Sequence, residues 1–195
     1  IPEGLDFVPA AALPVAGGTA LRALVDHARL TAGQRVLITG AAGGVGHFAV
    51  QVAKHLGAHV VGVCSAGNAE FVRGLGADEV VDYACDDFTR RSDRFDAVFD
   101  AACASTFGAA RRVLTESGCY ISTTGTFGAA MDTMAGALIA RFTSRQRAIP
   151  FVLRPGSATW QQVAARARDG ALRPHVERTI TLDQVAEAQR AMETG

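Results

Sequence analysis

The chain has 195 residues, of which 49% are hydrophobic, and its 19 basic side chains balance its 19 acidic ones. This composition supplies a sizeable apolar core and excludes a disordered chain. The zero net charge gives no support to binding of nucleic acid or of a membrane, and no apolar stretch approaches the ~20 residues of a membrane span. The four cysteines are widely spaced and lack metal-ligand spacing. We therefore expect reduced thiols, no zinc site and a cytoplasmic protein.

A helical pattern begins at Phe7 and extends to Leu30. Several of its apolar residues recur three or four positions apart, which predicts one buried face. That face contains Leu21, Leu24, Val25 and Ala28. A turn over 31–34 then leads into the first predicted strand.

The stretch after this turn has the pattern of a strand, a glycine-rich turn and a helix. The strand is Arg35–Thr39, and the turn reads Ala41-Ala42-Gly43-Gly44-Val45-Gly46. The turn corresponds to the dinucleotide fingerprint G-x-G-x-x-G, with Ala41 in the first position. Gly43 stands where the backbone approaches the pyrophosphate, and Gly46 stands where the helix packs closely on the strand. An empty glycine-rich turn is the alternative, but the flanking strand and helix favour a dinucleotide site.

A second predicted strand, His59–Cys64, completes a βαβ unit of about thirty residues and tests which cofactor fits. An NAD site usually has Asp or Glu after this strand, where the carboxylate accepts a hydrogen bond from the ribose 2′-hydroxyl. Here the strand is followed by Ser65-Ala66-Gly67-Asn68, without a carboxylate. Ser65 and Asn68 can donate hydrogen bonds to a 2′-phosphate, so NADP(H) is predicted. Both residue types also cap helices, and that role is compatible with phosphate binding.

The rest of the chain continues to alternate between strands and helices. Strands are predicted over 79–82, 95–100, 118–123 and 148–153, helices over 68–75, 106–114, 131–141, 160–168 and 183–192, and an additional strand over 176–181. Six strands that alternate with helices predict an α/β Rossmann fold, a doubly wound six-stranded parallel sheet with helices on both faces. We expect residues 1–195 to form one domain, with the N-terminal helix as its lead-in.

Four side chains near the predicted site have both a structural and a functional interpretation. His47 lies in the first turn of the helix after the glycines, where it could face a phosphate, and we expect it on the solvated side of that helix. Cys64 and Cys103 lie at the ends of strands and are expected to be small buried side chains. Tyr83 fits a ligand contact and plain packing equally well. The sequence shows no Ser-His-Asp arrangement, carboxylate pair or metal cluster, so no catalytic or metal-binding residue is assigned.

The turn Ala41–Gly46 and the residues Phe48–Lys54 that follow resemble one known family. They are similar to the zinc-independent medium-chain dehydrogenase/reductases, in particular the quinone oxidoreductases and enoyl-reductase-like members. Three further stretches show the same resemblance, over 1–20, 75–83 and 182–195. The resemblance therefore covers essentially the whole chain.

The resemblance implies how the pyrophosphate and the adenosine of NADP(H) are held. The backbone N–H groups of Gly43, Gly44 and Val45 would bind the pyrophosphate. Ser65 and Tyr83 would lie near the adenosine 2′-phosphate. Asn68 stands where many NADPH-dependent relatives have a Lys, which lowers the expected affinity.

The resemblance also implies contacts around the nicotinamide. After the fourth strand the sequence reads Ala101-Ala102-Cys103, where the family often has Val-Gly-Gly. Thr124 and Gly125 would approach the nicotinamide, Phe151 to Leu153 would offer backbone groups to its carboxamide, and Thr19 would lie beneath it. The full set of predicted cofactor contacts is Thr19, Ala42, Gly43, Gly44, Val45, Ser65, Asn68, Tyr83, Ala101, Thr124, Gly125, Phe151 and Leu153.

Membership of this family implies an activity as well. The chain would be the cofactor-binding domain of an NADPH-dependent oxidoreductase that transfers hydride to a quinone or to an activated C=C bond of an enone or enoyl substrate. Family members carry a preceding GroES-like catalytic domain, which this chain lacks, so the chain alone is expected to be inactive. The Lys and Asp of polyketide-type enoyl reductases have no full match at Met131-Asp132-Thr133-Met134, which disfavours that specialised branch.

Two alternatives remain open. The chain could be a non-catalytic NADP-binding module that senses redox state or mediates assembly, since binding and catalysis share the same glycines. It could also be a relative of zinc-dependent alcohol dehydrogenases, because both zinc sites would lie in the absent domain. Expected partners are a small quinone or enone substrate, no nucleic acid and no membrane, and a second copy bound through the nucleotide domain, as in relatives.

Overall fold

The computed structural model describes residues 5–123, 131, 133–138, 140, 144–153 and 156–194. Thr124 and Gly125 lie outside the described residues, as does Arg141 at the predicted end of one helix.

A six-stranded sheet forms the centre of the protein. Its strands are β1 Arg35–Thr39, β2 His59–Cys64, β3 Glu79–Asp82, β4 Phe95–Asp100, β5 Leu114–Thr123 and β6 Arg147–Phe151. Every neighbouring pair is parallel, and the order is β3-β2-β1-β4-β5-β6. The predicted doubly wound parallel sheet is confirmed, and the predicted bounds of β1 to β4 are those of the structure.

Helices cover both faces of the sheet. They are α1 Phe7–Leu21, which continues as a π-helical turn over Arg22–His27, α2 Gly46–His55, α3 Ala69–Gly74, α4 Phe107–Ala110, α5 over 133–138, α6 Ser157–Arg168 and α7 Val185–Thr194. Successive residues of β1 belong to opposite cores: Ile38 packs on the side of Phe48 in α2, and Leu37 packs on the side of Phe107 in α4. Burial of both faces explains the continuous apolar runs that identified the strands.

The N-terminal helix ends at His27, three residues before the predicted Leu30, and it contradicts the expectation that no apolar stretch approaches the length of a membrane span. Phe7–His27 is one continuous helical segment that, by length and composition alone, is long enough to cross a membrane. In the fold it packs against α2 and α6, with Gly18 directly beneath the ring of Trp160. The predicted buried residues Leu21 and Leu24 are both fully enclosed. The part of the segment from Gly17 to Leu24 therefore belongs to the core, whereas Phe7 and Val15 nearer its start are exposed.

Three predicted elements differ most from the structure, and the first is β5, which begins at Leu114, four residues before its predicted start at Gly118. The helix predicted over 106–114 stops at Ala110, because the Val113 carbonyl accepts a hydrogen bond from Phe95 N–H at 2.8 Å and the chain turns into β5 at Leu114. The additional strand predicted over 176–181 does not form: this stretch has no ladder with the described strands. The β-branched composition of residues 176–181 is not sufficient for a strand, because this stretch does not pair with either edge strand, β3 or β6.

Candidate cofactor-binding site

The carboxyl ends of the strands bring the predicted contacts to one edge of the sheet. Because all strands are parallel, Ser65 after β2, Tyr83 after β3 and Ala101 after β4 lie along this edge together with the glycine turn after β1. The strand order reverses between β1 and β4, so that helices leave to opposite sides there. In open α/β sheets this crevice is where ligands bind. The loops after β1 and β4 touch at this point, since a Cβ added to Gly40 would lie 2.9 Å from the Cβ of Ala102.

The position in the turn that requires a left-handed backbone is one residue earlier than the first glycine position of the fingerprint. The left-handed residue is Gly40, with φ of 60°, whereas Ala41 has an ordinary backbone and donates from its N–H to the Val63 carbonyl at 3.0 Å. The Gly43 N–H closes the turn on the Gly40 carbonyl at 2.9 Å. Ala41 is therefore tolerated because the strained position falls on Gly40.

Gly46 lets α2 start directly against the turn. A Cβ at Gly46 would collide with the Gly40 carbonyl oxygen and would lie 2.9 Å from the Cα of Ala41. This is the close helix-to-strand packing that the fingerprint assigns to its third glycine. Gly44, in contrast, faces open space, with nothing within 4 Å of an added Cβ.

The start of α2 offers free backbone donors. Within the part of the chain that the structure describes, the N–H groups of Gly44 and Val45 donate to no backbone or side-chain acceptor. The Gly43 N–H, which the resemblance assigned to the pyrophosphate, is already bonded to Gly40. These exposed donors lie at the beginning of a ten-residue helix, next to the Gly40–Gly46 contact that leaves no room for a Cβ. This arrangement fits a bound diphosphate. Ala42 lines the same turn and is half-buried.

His47 is buried, so its prediction as a solvated position is wrong. Its side chain is only 6% exposed, because the C-terminal segment around His175 covers this side of α2. His47 Nδ1 lies 3.0 Å from the Gly43 carbonyl, and His175 N–H approaches Nε2 at 3.5 Å. Burial, together with the charge of His175, lowers the pKa of His47 against the opposing effect of hydrogen bonds to the Gly43 and Gly44 carbonyls. The imidazole is therefore neutral at pH 7.

The side chains expected near the adenosine are accessible. Asn68 Nδ2 donates to Ser65 Oγ at 3.1 Å, and neither side chain caps the helical turn that follows it. Tyr83 is 66% exposed, which rules out plain packing in this structure. Cys64 pairs with Asp82 in the β2–β3 ladder, so Ser65 and Tyr83 are the next residues of adjacent strands. The structure thus brings Ser65, Asn68 and Tyr83 to one exposed place at the β2–β3 end of the edge.

A buried carboxylate that the sequence analysis missed organises the loop after β4. Asp100 is fully buried and accepts hydrogen bonds from Thr39 Oγ1 at 2.5 Å and from Tyr120 Oη at 2.8 Å. The backbone N–H groups of Ala104 and Ser105 donate to the same carboxylate at 3.0 and 2.9 Å. Burial and the neighbouring Asp100 raise the pKa of Tyr120, so its hydroxyl remains a donor. The available signal was a single Asp at the end of the otherwise apolar stretch Ala97-Val98-Phe99.

The loop that Asp100 holds includes an exposed cysteine. Cys103 adopts φ of 52° and its Sγ donates to the Thr123 carbonyl, so its prediction as a buried side chain is wrong. This left-handed conformation favours glycine, which is the residue that the family resemblance implies at this position. Cys64 is buried as predicted, and burial followed by the Asp82 carboxylate raises the pKa of its thiol.

The remaining predicted contacts lie on the β5–β6 side or in α1. Ala101 is half-buried and its carbonyl accepts a hydrogen bond from Thr123 Oγ1 at 3.2 Å. Phe151 ends β6 with its ring buried against His27, and Leu153 packs on the same core. Thr19 is buried within α1. Their contacts to a nicotinamide remain predictions, as do those of Thr124 and Gly125.

No cluster of three or more His, Cys, Asp or Glu side chains that could hold a metal ion occurs among the described residues. The independence from zinc that the resemblance implied stays a prediction.

Comparison with known proteins identifies relatives over the full length of the chain. The profile of the family described as "Zinc-binding dehydrogenase" matches residues 75–195. The chain is 35% identical to the "Chloroplast envelope quinone oxidoreductase homolog" of Arabidopsis thaliana over 96% of its length and 59% of that protein. It is 37% identical to the "NADPH-dependent alkenal/one oxidoreductase, chloroplastic" of the same plant over 64% of its length and 32% of that protein.

A solved structure shows the same architecture. The quinone oxidoreductase from Coxiella burnetii superposes with a TM-score of 0.85 at 30% identity, covering 98% of this chain and 59% of the other. The chain thus spans about three fifths of the length of such relatives. The family profile, the relatives and the parallel sheet agree, and the chain belongs to the medium-chain dehydrogenase/reductase family, with the quinone oxidoreductase-like and enoyl-reductase-like members.

Proposed function

We propose that this chain binds NADP(H) at the carboxyl edge of its sheet and serves as the nucleotide-binding domain, over residues 1–195, of a zinc-independent oxidoreductase. The observation that carries the proposal is the glycine turn at the strand-order reversal, where Gly44 and Val45 present free N–H groups beside the Gly40–Gly46 contact. When bound, the cofactor supplies the hydride. The chain's own residues hold its phosphates and orient it.

A preference for NADP(H) over NAD(H) is supported at the end of β2. Residues 65–68, which follow Cys64 directly, include no carboxylate that would repel a 2′-phosphate, and Ser65 and Asn68 are accessible donors. One relative is named as NADPH-dependent. Asn68 stands in place of a cation, so we expect modest affinity for the 2′-phosphate.

We further propose a quinone or an activated C=C bond, as in an enone, as the hydride acceptor. The support is the printed activities of the relatives, quinone and alkenal/one oxidoreduction. The four cysteines are free, which suits a reducing compartment such as the cytoplasm. β6 has β5 as its only partner among the described strands, and its open edge is our candidate for contact with a second copy.

Titration of the 195-residue chain with NADPH and NADH, followed by the fluorescence of the reduced nicotinamide, tests the proposal. We expect saturable binding of both with a lower Kd for NADPH. Failure of both to bind would refute the cofactor site, and tighter binding of NADH would refute the NADP preference. We expect no quinone-dependent oxidation of NADPH by the chain alone, and rapid turnover would contradict its proposed role as one domain of the enzyme.

A further inference from the structure

The peptide between Gly43 and Gly44 needs an external restraint to bind a phosphate. Both residues lack a side chain, both are exposed, and nothing lies within 4 Å of a Cβ added to Gly44. Such a Gly-Gly peptide can rotate at low cost, since glycine adopts both signs of φ. Rotation by half a turn would replace the Gly44 N–H with the Gly43 carbonyl oxygen, whose partial negative charge repels an anion.

His47 supplies two hydrogen bonds that prevent this rotation. Its backbone N–H and its side-chain Nδ1 both lie 3.0 Å from the Gly43 carbonyl oxygen. In a trans peptide the carbonyl and the following N–H point in opposite directions. A Gly43 carbonyl that is fixed toward α2 therefore directs the Gly44 N–H away from the helix, into the region of the free donors.

The tautomer of His47 follows from its two partners. A carbonyl only accepts, so Nδ1 carries the proton, and the backbone N–H of His175 only donates, so Nε2 presents its lone pair. Burial and the nearby His175 keep the ring neutral, as both contacts require. Among the described residues, His175 is the titratable side chain whose charge acts on this ring, and the backbone carbonyls of Gly43 and Gly44 both favour its protonation and raise its pKa.

The C-terminal segment holds the imidazole in place. The Gln51 side chain donates to the Arg173 carbonyl at 3.0 Å and accepts from the Arg173 N–H at 2.7 Å. The ring of His175 packs on Phe71 with centroids 4.7 Å apart, and the ring of His47 packs on Phe48 at 4.0 Å. His47 thus has a single supported orientation, with Nδ1 toward the glycine turn.

We propose that His47 is a positioning residue for the cofactor: its Nδ1–H fixes the Gly43 carbonyl so that the Gly44 N–H points at the pyrophosphate. The inference rests on the proposed function for the identity of the ligand. The orientation of the peptide itself is a property of the chain without ligand.

Two variants test the roles of the two ring nitrogens of His47 separately. The amide nitrogen of Asn occupies the place of Nδ1, so H47N retains the bond to Gly43, whereas Gln extends to the place of Nε2, so H47Q retains the contact with His175 and loses the bond to Gly43. We expect H47N to bind NADPH within about twofold of the unmodified chain and H47Q to bind it at least about fivefold more weakly. The matched control H55Q changes an exposed His of the same helix and should leave the Kd unchanged.

A second ligand and a second measurement distinguish a specific effect of His47 on the glycine turn from a general disruption of the nucleotide site. Adenosine 2′-monophosphate has no pyrophosphate, so competition with NADPH should give it the same affinity for H47Q and the unmodified chain. NMR relaxation of the chain without ligand should show the order parameter of the Gly44 amide falling from about 0.85 to below about 0.6 in H47Q, with H47N unchanged.

Equal NADPH affinity of H47Q and the unmodified chain would overturn the inference, as would equal weakening of H47Q and H47N or weakening by H47N alone. If the unmodified chain binds neither NADPH nor NADH, the proposed function fails, and the relaxation data alone then decide whether His47 holds the Gly43–Gly44 peptide.

Discussion

At the scale of single residues, the site depends on buried polar groups whose partners come from other strands. Asp100 receives Thr39 from β1, Tyr120 from β5 and two N–H groups from its own loop. Buried carboxylates are costly unless they are fully hydrogen-bonded, and this one has four donors. The loop with Ala101 and Ala102, which contacts the glycine turn at Gly40, takes its position from this network.

We predict that D100N lowers the free energy of unfolding by about 3 kcal/mol, since the new NH₂ group faces an N–H donor and leaves it unsatisfied. Y120F removes one donor and should cost about 1 kcal/mol. Urea unfolding followed by circular dichroism at pH 7 measures both. A D100N variant as stable as the unmodified chain would show that the network does not hold the loop.

At the scale of elements, the decisive contact is the one between β1 and α2. The turn Gly40–Gly43 and the first residue of α2 approach so closely that position 46 has no room for a Cβ, whereas position 44 has open space. The two glycines of the same turn therefore have different tasks. Gly46 permits the close packing of α2 on the turn, and Gly44 leaves space for a ligand.

We predict that G46A destabilises the chain by about 3 kcal/mol or more, because a backbone-to-methyl collision requires α2 to shift away from β1. G44A meets nothing and should stay within about 0.5 kcal/mol of the unmodified chain. Thermal unfolding compares the two variants directly. Equal melting temperatures would contradict the steric assignment.

At the scale of the whole molecule, the two ends of the sheet carry different chemistry. The carboxyl edge holds the candidate cofactor site, and the amino edge holds an ionic network around Glu79. Glu79 contacts His59 at 2.9 Å, Arg35 at 3.2 Å and Arg91 at 3.0 Å, thereby joining the starts of β1, β2 and β3. The hydrogen bond from His59, followed by that from Arg35, lowers the pKa of Glu79 from its ordinary value of 4.5.

This network makes stability depend on pH in the acid range. A carboxylate whose pKa is lowered in the folded state contributes stability above its unfolded pKa and loses it as pH falls through the folded value. We predict that E79Q is about 0.5–1 kcal/mol less stable than the unmodified chain at pH 7, given the partial exposure of these pairs. The difference should shrink below about pH 4.

Urea midpoints of E79Q and the unmodified chain at pH 7 and pH 3 provide the measurement. E116Q, which changes an exposed Glu outside the network, is the control and should show no such dependence. A difference between E79Q and the unmodified chain that persists unchanged at pH 3 would mean that packing, and not charge, underlies it.

Local sequence determined the fold class and most of the strands. The apolar runs of β1 to β4 and the glycine turn carry their information within a few residues, because a buried parallel strand needs continuous apolar side chains and a tight turn needs glycine. The same local signals placed Ser65 and Tyr83 at the ends of adjacent strands. The motifs of the turn and of both chain ends also indicated the family.

Only the tertiary structure decided the surroundings of individual polar side chains. The amphipathic pattern of α2 placed His47 toward water, but a segment more than a hundred residues later covers it. Asp100 stood out locally only as one carboxylate at the end of an apolar strand, and its partners could not be predicted because two of its donors belong to distant strands. Helix α4 ends before its predicted bound because the Val113 carbonyl accepts a hydrogen bond from the Phe95 N–H of β4. Burial and hydrogen bonding of these groups depend on which distant segments meet, and that information is not contained in the periodicity of any one segment.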